Sequence, residues 1–262
     1  MRANMRVEPG KTKIEIVPMK IVFATGNKGK LREAAEILGS GFELLSSADV
    51  GITEDVEETG ETLEENSIIK AEYIHSRLGG KLSGEMVAGE AGAGHGSAGE
   101  NMSGLDCFAD DTGLEVDALG GAPGVHSARY ATAGHDFDAN IDKLLAELEK
   151  HPGEPRTARF RSVITLIYKG ERHFFEGTLE GVIAPDRRGA NGFGYDPVFI
   201  PDGYPDNTVA ELDDATKNAI SHRGKALRAM ADWLRGKEMP GCAVCDGKAG
   251  QAVEKADRWM RS

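Results

Sequence analysis

Apolar residues fall in short runs that alternate with longer amphipathic stretches. Ile21 to Ala24 is a continuous apolar run of strand length. Leu31, Ala34, Ala35 and Leu38 then recur at helical spacing. A strand therefore feeds a helix through the turn Thr25-Gly26-Asn27-Lys28-Gly29-Lys30. Phe42 to Ser46 reads as a second short strand. Thr62-Leu63-Glu64-Glu65 is a capping box that opens a helix over 62–78. A strand over 105–109 ends at Asp110, and Leu114-Glu115-Val116 begins the next. Phe137 to Leu148 carries Ile141, Leu144, Leu145 and Leu148 as one apolar stripe. The β-branched stretch Ala158 to Tyr168 and the stretch Arg172 to Ala184 are joined by Lys169-Gly170, which predicts a hairpin. Ser221 is a suitable N-cap for a last core helix running to Arg235, with Leu227, Met230 and Leu234 inward.

Alternating strand and helix units followed by a hairpin predict an α/β fold with a mixed sheet. No internal repeat is visible. Residues 20–236 read as the folded domain. Within it, residues 79–104 are rich in Gly, Ala, Ser and Glu, a composition suited to a flexible insertion. Residues 1–19 read as a polar extension. Residues 237–262 read as a polar tail with a short helical pattern over 253–260.

Charge narrows the range of partners. The net charge of −12, from 31 Lys+Arg against 43 Asp+Glu, argues against a general binder of nucleic acid or acidic membrane. It leaves room for a local basic pocket that takes a small anion with a divalent metal. No apolar run approaches membrane-span length, and the first residues do not resemble a signal peptide. Cys107, Cys242 and Cys245 are too few for a disulfide framework and fit a reducing cytoplasm. Cys242-Ala243-Val244-Cys245 has CxxC spacing without a second pair or a nearby histidine. Cys107, within a strand, reads as a small buried apolar residue.

Five segments hold side chains suited to chemistry. In the first turn, Gly26 and Gly29 let a ligand approach the backbone. Free N–H groups at the helix start, with Lys28 and Lys30, favour an anion. The spacing is neither a P-loop nor GxGxxG. Asp110-Asp111-Thr112-Gly113 places acids at a strand end. Adjacent side chains on an extended strand face opposite ways, so one acid serves metal or water and the other is structural. Glu57-Glu58 adds a second acidic pair, which with Asp111 completes an oxygen site for Mg²⁺. Glu65 is already accounted for by the capping box, while Asn66 and Lys70 share a helix face. Phe193-Gly194-Tyr195-Asp196-Pro197 can set an aromatic face against a planar ring, with an acid for its edge. Lys217, His222 and Arg223 supply charge and hydrogen bonds nearby. Plainer readings stand beside each: solvated lysines, an Asx turn, a tight turn with a buried aromatic. A Ser221–His–Asp triad lacks a GxSxG elbow.

Six stretches, in this order, resemble the inosine triphosphate pyrophosphatase family of non-canonical purine NTP pyrophosphatases. They are ATGNKGKLRE at 24–33, EETGETLEENSIIKAE at 57–72, ADDTGLEVDALGGAPGVHSARYA at 109–131, ARFRSVI at 158–164, GFGYDPVFI at 192–200 and ISHRGKAL at 220–227. The resemblance implies hydrolysis of ITP, dITP or XTP to the monophosphate and pyrophosphate, with Mg²⁺. It implies a homodimer and a long central sheet whose two lobes flank a substrate cleft. By motif position, Thr25 to Lys30 line the phosphates and sugar. Asp111 is the proton acceptor and metal ligand, with Thr112 beside it. Glu57 or Glu58 supplies a second acid, and Lys70 faces the triphosphate. Phe193, Gly194, Tyr195 and Asp196 hold the base, and Lys217, His222 and Arg223 complete the pocket. The insertion, the extension and the CxxC tail depart from the family pattern without removing a matched residue. The rival readings are a Maf-like nucleotide pyrophosphatase and a nucleotide-sensing module without turnover.

Overall fold

In the computed structural model, residues 18–79 and 104–238 are described. The glycine-rich insertion, the CxxC pair and the helical pattern over 253–260 lie outside the described residues. The expected strand and helix at the start are β1 (Met19–Phe23) and α1 (Lys28–Leu38). They are followed by β2 (Phe42–Ser46) and α2 (Leu63–Arg77). Next come β3 (Cys107–Val116), the short β4 (Pro123–Gly124) and α3 (Phe137–Leu148). The hairpin is β5 (Thr157–Tyr168) and β6 (Glu171–Ile183), turning at Lys169 and Gly170 with φ of 52° and 82°. A short β7 (Phe199–Pro201), α4 (Asp214–Ile220) and α5 (His222–Glu238) complete it.

The strands form one seven-stranded mixed sheet, ordered β2-β1-β3-β5-β6-β7 with β4 paired to β3. β1 runs parallel to β2 and β3; the remaining pairs are antiparallel. No helix among the described residues is long and apolar enough to cross a membrane.

β3 corrects the sequence reading. The acids do not end a strand. Asp110 and Asp111 lie in the middle of ten continuous strand residues, paired with Ile164 and Val163 of β5. Charged residues broke the apolar pattern but not the ladder, because each finds a cationic partner from a distant element. Three smaller differences follow from packing. Ala35 is exposed, and Ile37 packs on the core beside Leu31, Ala34 and Leu38. Thr62 caps α2 by accepting from Glu65 N, but Glu65 accepts from Glu61 N instead of closing the box on Thr62. Helix α4 was not expected: it buries no residue and so shows no apolar period.

Three apolar clusters locate the site. Phe23, Phe108, Ile164 and Phe175 pack under α1 and α5 on one face of the sheet. Val22, Cys107, Ala109 and Ile167 pack under α2 on the other. Further along the same strands, Leu114, Val116, Phe160 and Leu179 form a separate core with α3 and Phe199. Long strands thus run through two lobes. Residues 110–113 and Ser162 form a polar waist that no apolar cluster includes. Gly177 on β6 lets α5 settle there: a Cβ would lie 2.1 Å from His222 O.

Candidate active site

At the waist the strand alternation sends neighbouring carboxylates to opposite faces. Asp110, 2% exposed, accepts from Lys30 Nζ at 2.9 and 3.0 Å and from Arg223 Nε at 3.0 Å. Arg223 Nη1 also donates to Glu33 at 2.8 Å. On the other face, Lys70 Nζ donates to Asp111 Oδ1 and to Glu58 Oε1, each at 2.8 Å. Arg129 Nη2 reaches Glu58 Oε2 at 3.3 Å. Strand β3, helix α2 and the first turns of α1 and α5 thereby meet at one charged centre.

The two aspartates have opposite acidities. Burial alone would raise the Asp110 carboxyl, but the charges of Lys30, Arg223 and Lys70 outweigh it and hold it well below the usual range. Asp111 is raised, chiefly by burial. Lys70 opposes that rise, and the negative charges of Glu58 and Asp110 add to it. For Lys70, burial favours the neutral amine, yet Asp111, Asp110 and Glu58 keep it firmly protonated. Glu58 is lowered: burial works against this, and the Lys70 and Arg129 charges prevail.

The opening turn is less free than its sequence implied. Asn27 Oδ1 accepts from Gly29 N at 2.8 Å and Lys30 N at 3.1 Å, so two of the helix-start amides are already capped. Thr25 Oγ1 accepts from Asn27 N at 3.1 Å. Lys28 is exposed. Gly26 is also exposed, and a Cβ there would meet nothing within 4 Å, so the fold itself does not require glycine. Thr112 Oγ1 donates to Ser162 Oγ at 3.0 Å.

A second group gathers on the glycine-rich loop. Lys217 Nζ donates to Asp196 Oδ2 at 2.5 Å, and Phe193 N donates to the same oxygen at 3.1 Å. Phe193 is 61% exposed, and the Lys217 ammonium stands 5.5 Å above its ring. Gly192 makes room with φ of 92°, since a Cβ would strike Asp196 and Lys217. Gly194 also turns through positive φ. Tyr195 faces the other way from Phe193. It is buried in the second lobe and its hydroxyl donates to Ser127 O at 2.9 Å, so the open aromatic face of this loop is that of Phe193. His222 stacks on Phe160, with ring centres 5.0 Å apart, and its Nδ1 is shielded and unpartnered. Burial, helped by the adjacent Arg223 charge, pushes its pKa down to about 3, so the ring is neutral at neutral pH.

Of the two glutamates, Glu58 shares Lys70 with Asp111, whereas Glu57 makes none of these contacts. Among the described residues no three His, Cys, Asp or Glu side chains form a ready metal cage. Two carboxylates converging on one cation nevertheless suit Mg²⁺, which takes few protein ligands and completes its shell with water and substrate phosphate. Glu33 and Arg129 were missed by sequence reasoning. Both lie inside the matched stretches, at 24–33 and 109–131, and their charge was the available signal.

An open mixed sheet, crossed at its waist by paired acids and cations, defines an α/β protein built to hold a charged small molecule between two lobes. The Ham1 family model matches residues 21–233, and the chain belongs to that family. It is 44% identical over 216 residues to a dITP/XTP pyrophosphatase of Christiangramia forsetii, covering 82% of this chain and 99% of that protein. It is 46% identical over 215 residues to one from Porphyromonas gingivalis, covering 82% and 97%. Among solved structures, a HAM1 protein from Coxiella burnetii superposes with a TM-score of 0.68 at 37% identity, covering 82% of this chain and 98% of that one.

Proposed function

We infer that the protein hydrolyses non-canonical purine nucleoside triphosphates, of the dITP and XTP type, to the monophosphate and pyrophosphate. One observation carries this reading. Adjacent carboxylates are driven apart in acidity, one locked as an anion and the other raised toward a proton acceptor. The relatives' activity on dITP and XTP agrees with it.

Asp111 and Glu58 would hold Mg²⁺, which supplies charge neutralisation on the phosphates. Asp111 Oδ2 carries no hydrogen bond from another described residue and is the atom suited to take a proton from water. As the water oxygen bonds to the α-phosphorus, the bond to the bridging oxygen breaks and pyrophosphate leaves with the electron pair. Lys30, Lys70 and Arg223 offset the negative charge that moves outward. Phe193 offers a ring face for stacking. Neutral His222 offers an N–H to a 6-keto oxygen, a contact that an adenine amino group cannot complete.

Steady-state pyrophosphate release from ITP, XTP, dITP, GTP, ATP and dTTP with Mg²⁺ tests the reading. ITP, dITP and XTP are expected to lead; equal rates on ITP and dTTP would reject it in favour of a Maf-like specificity. Tight ITP binding without turnover in saturating Mg²⁺ would favour a sensing module. The homodimer implied by the resemblance is checked by sedimentation equilibrium. A reducing cytoplasmic setting agrees with Cys107 being buried and free.

A further inference from the structure

The Lys70 ammonium occupies the point on which Asp111 and Glu58 converge, 2.8 Å from one oxygen of each. Its side chain is only 12% exposed, so it is held inside the waist and not in bulk water. Mg²⁺ also seeks carboxylate oxygens, and two cations cannot share that point at hydrogen-bond distance. Entry of metal therefore requires the ammonium to leave two charge-assisted hydrogen bonds. Leaving is costly unless another anion takes it up. Other nearby acids are already engaged: Asp110 by Lys30 and Arg223, and Glu33 by Arg223. A triphosphate brings the missing anion.

We propose that Lys70 is a resident cation that closes the Asp111–Glu58 pair to free divalent metal and releases it when nucleotide phosphate arrives. The proposal rests on the reading of Asp111 and Glu58 as metal ligands. Its consequence is a positive coupling between metal and nucleotide, equal in both directions by linkage. A free enzyme guarded in this way binds metal weakly until its substrate is present.

The test is Mn²⁺ binding to nucleotide-free protein, followed by the electron paramagnetic resonance of unbound Mn²⁺. Lys70→Met is expected to bind Mn²⁺ about tenfold or more tightly than the wild type, the scale set by removing one competing ion contact. Adding Asp111→Asn to that variant should abolish the gain. Affinity in Lys70→Met equal to or weaker than wild type overturns the proposal. Reductive methylation of the wild-type chain covers the case in which Lys70→Met does not fold. Labelling of Lys70 should rise along the Mn²⁺ titration, at the same midpoint as binding. Unchanged labelling while Mn²⁺ binds also overturns the proposal. Pyrophosphate release from ITP by the wild type, measured separately, decides the functional reading, so either can fail alone.

Discussion

Two adjacent aspartates show how neighbours of one residue type acquire different roles. Asp110 is fixed by Lys30 and Arg223 and is nearly sealed from solvent, so its task is to hold α1 and α5 against the sheet. Asp110→Asn would leave the half-buried Lys30 without its anion and the buried Arg223 with Glu33 alone. We expect a loss of about 3–5 kcal/mol in denaturant unfolding, the range for breaking a buried pair. Asp111→Asn should instead lower pyrophosphate release by about 10²–10⁴-fold, the usual yield of a proton acceptor, while ITP binding survives in calorimetry. Near-normal turnover in that variant would remove Asp111 from the chemistry. His222 gives a pH signature. Its folded pKa, about 3, lies below its unfolded value, so between those values the unfolded chain binds more protons. The stability it contributes is complete above about pH 6.5 and falls as pH drops toward 3. A single proton on one ring limits this slope to about 1.4 kcal/mol per pH unit. Urea melts from pH 7 to 4 should show a flatter slope in His222→Gln; an unchanged slope would show that His222 does not drive it.

Local pattern carries an element when its partners are near in sequence and fails when they are far. β2 and α3 matched their expected bounds because period and flanking turns sufficed. β3 was cut in two because nothing near 110 announces that Lys70, 41 positions away, and Arg223, 113 positions away, will neutralise the acids. The same distance hid which of Glu57 and Glu58 meets Lys70, since that contact reaches across from α2. The burial of Tyr195 was hidden for a related reason: only the second lobe's core fixes which aromatic of the loop is covered. Helix α4 had a local signal that was overlooked: Asp213 Oδ1 accepts from Thr216 N at 2.9 Å, a side-chain cap legible as Asp-x-x-Thr. The contact between α5 and β6 yields the prediction at this scale. Gly177→Ala would press a methyl against His222 O and Ala226 N, 2.1 and 2.7 Å from the added carbon. Backbone cannot yield as a side chain can, so α5 must lift. We expect a cost of about 1–3 kcal/mol in thermal unfolding. A raised KM for ITP should accompany it, since His222 and Arg223 ride on that first turn. A drop in stability with unchanged KM would separate the packing from the site.

Across the whole molecule, charge is spent inward at the waist although the chain is acidic overall. Lys30, Lys70 and Lys217 each sit on a carboxylate, so the cations a triphosphate would meet are held in place beforehand by acids of the fold. Each of these cations and its acid lies in the described segments from β1 to α5. The chain on either side of that stretch returns to one point: Gly104 N donates to Leu78 O at 3.3 Å, between the end of α2 and the approach to β3. A chain whose ends already meet can be joined by a few residues without moving either element. Closing a shorter loop costs less entropy, by about 0.6 kcal/mol for each halving of its length. Replacing 80–103 with a short Gly-Ser linker should therefore leave the melting temperature unchanged or a few degrees higher, with pyrophosphate release from ITP retained. If melting fell by about 10 °C or more, a loss on the order of 2.5–5 kcal/mol for a domain of this size, the segment would have to be contributing buried surface to the domain. If melting held while turnover collapsed, it would instead be reaching the waist, and the catalytic unit would have to be redrawn to include it.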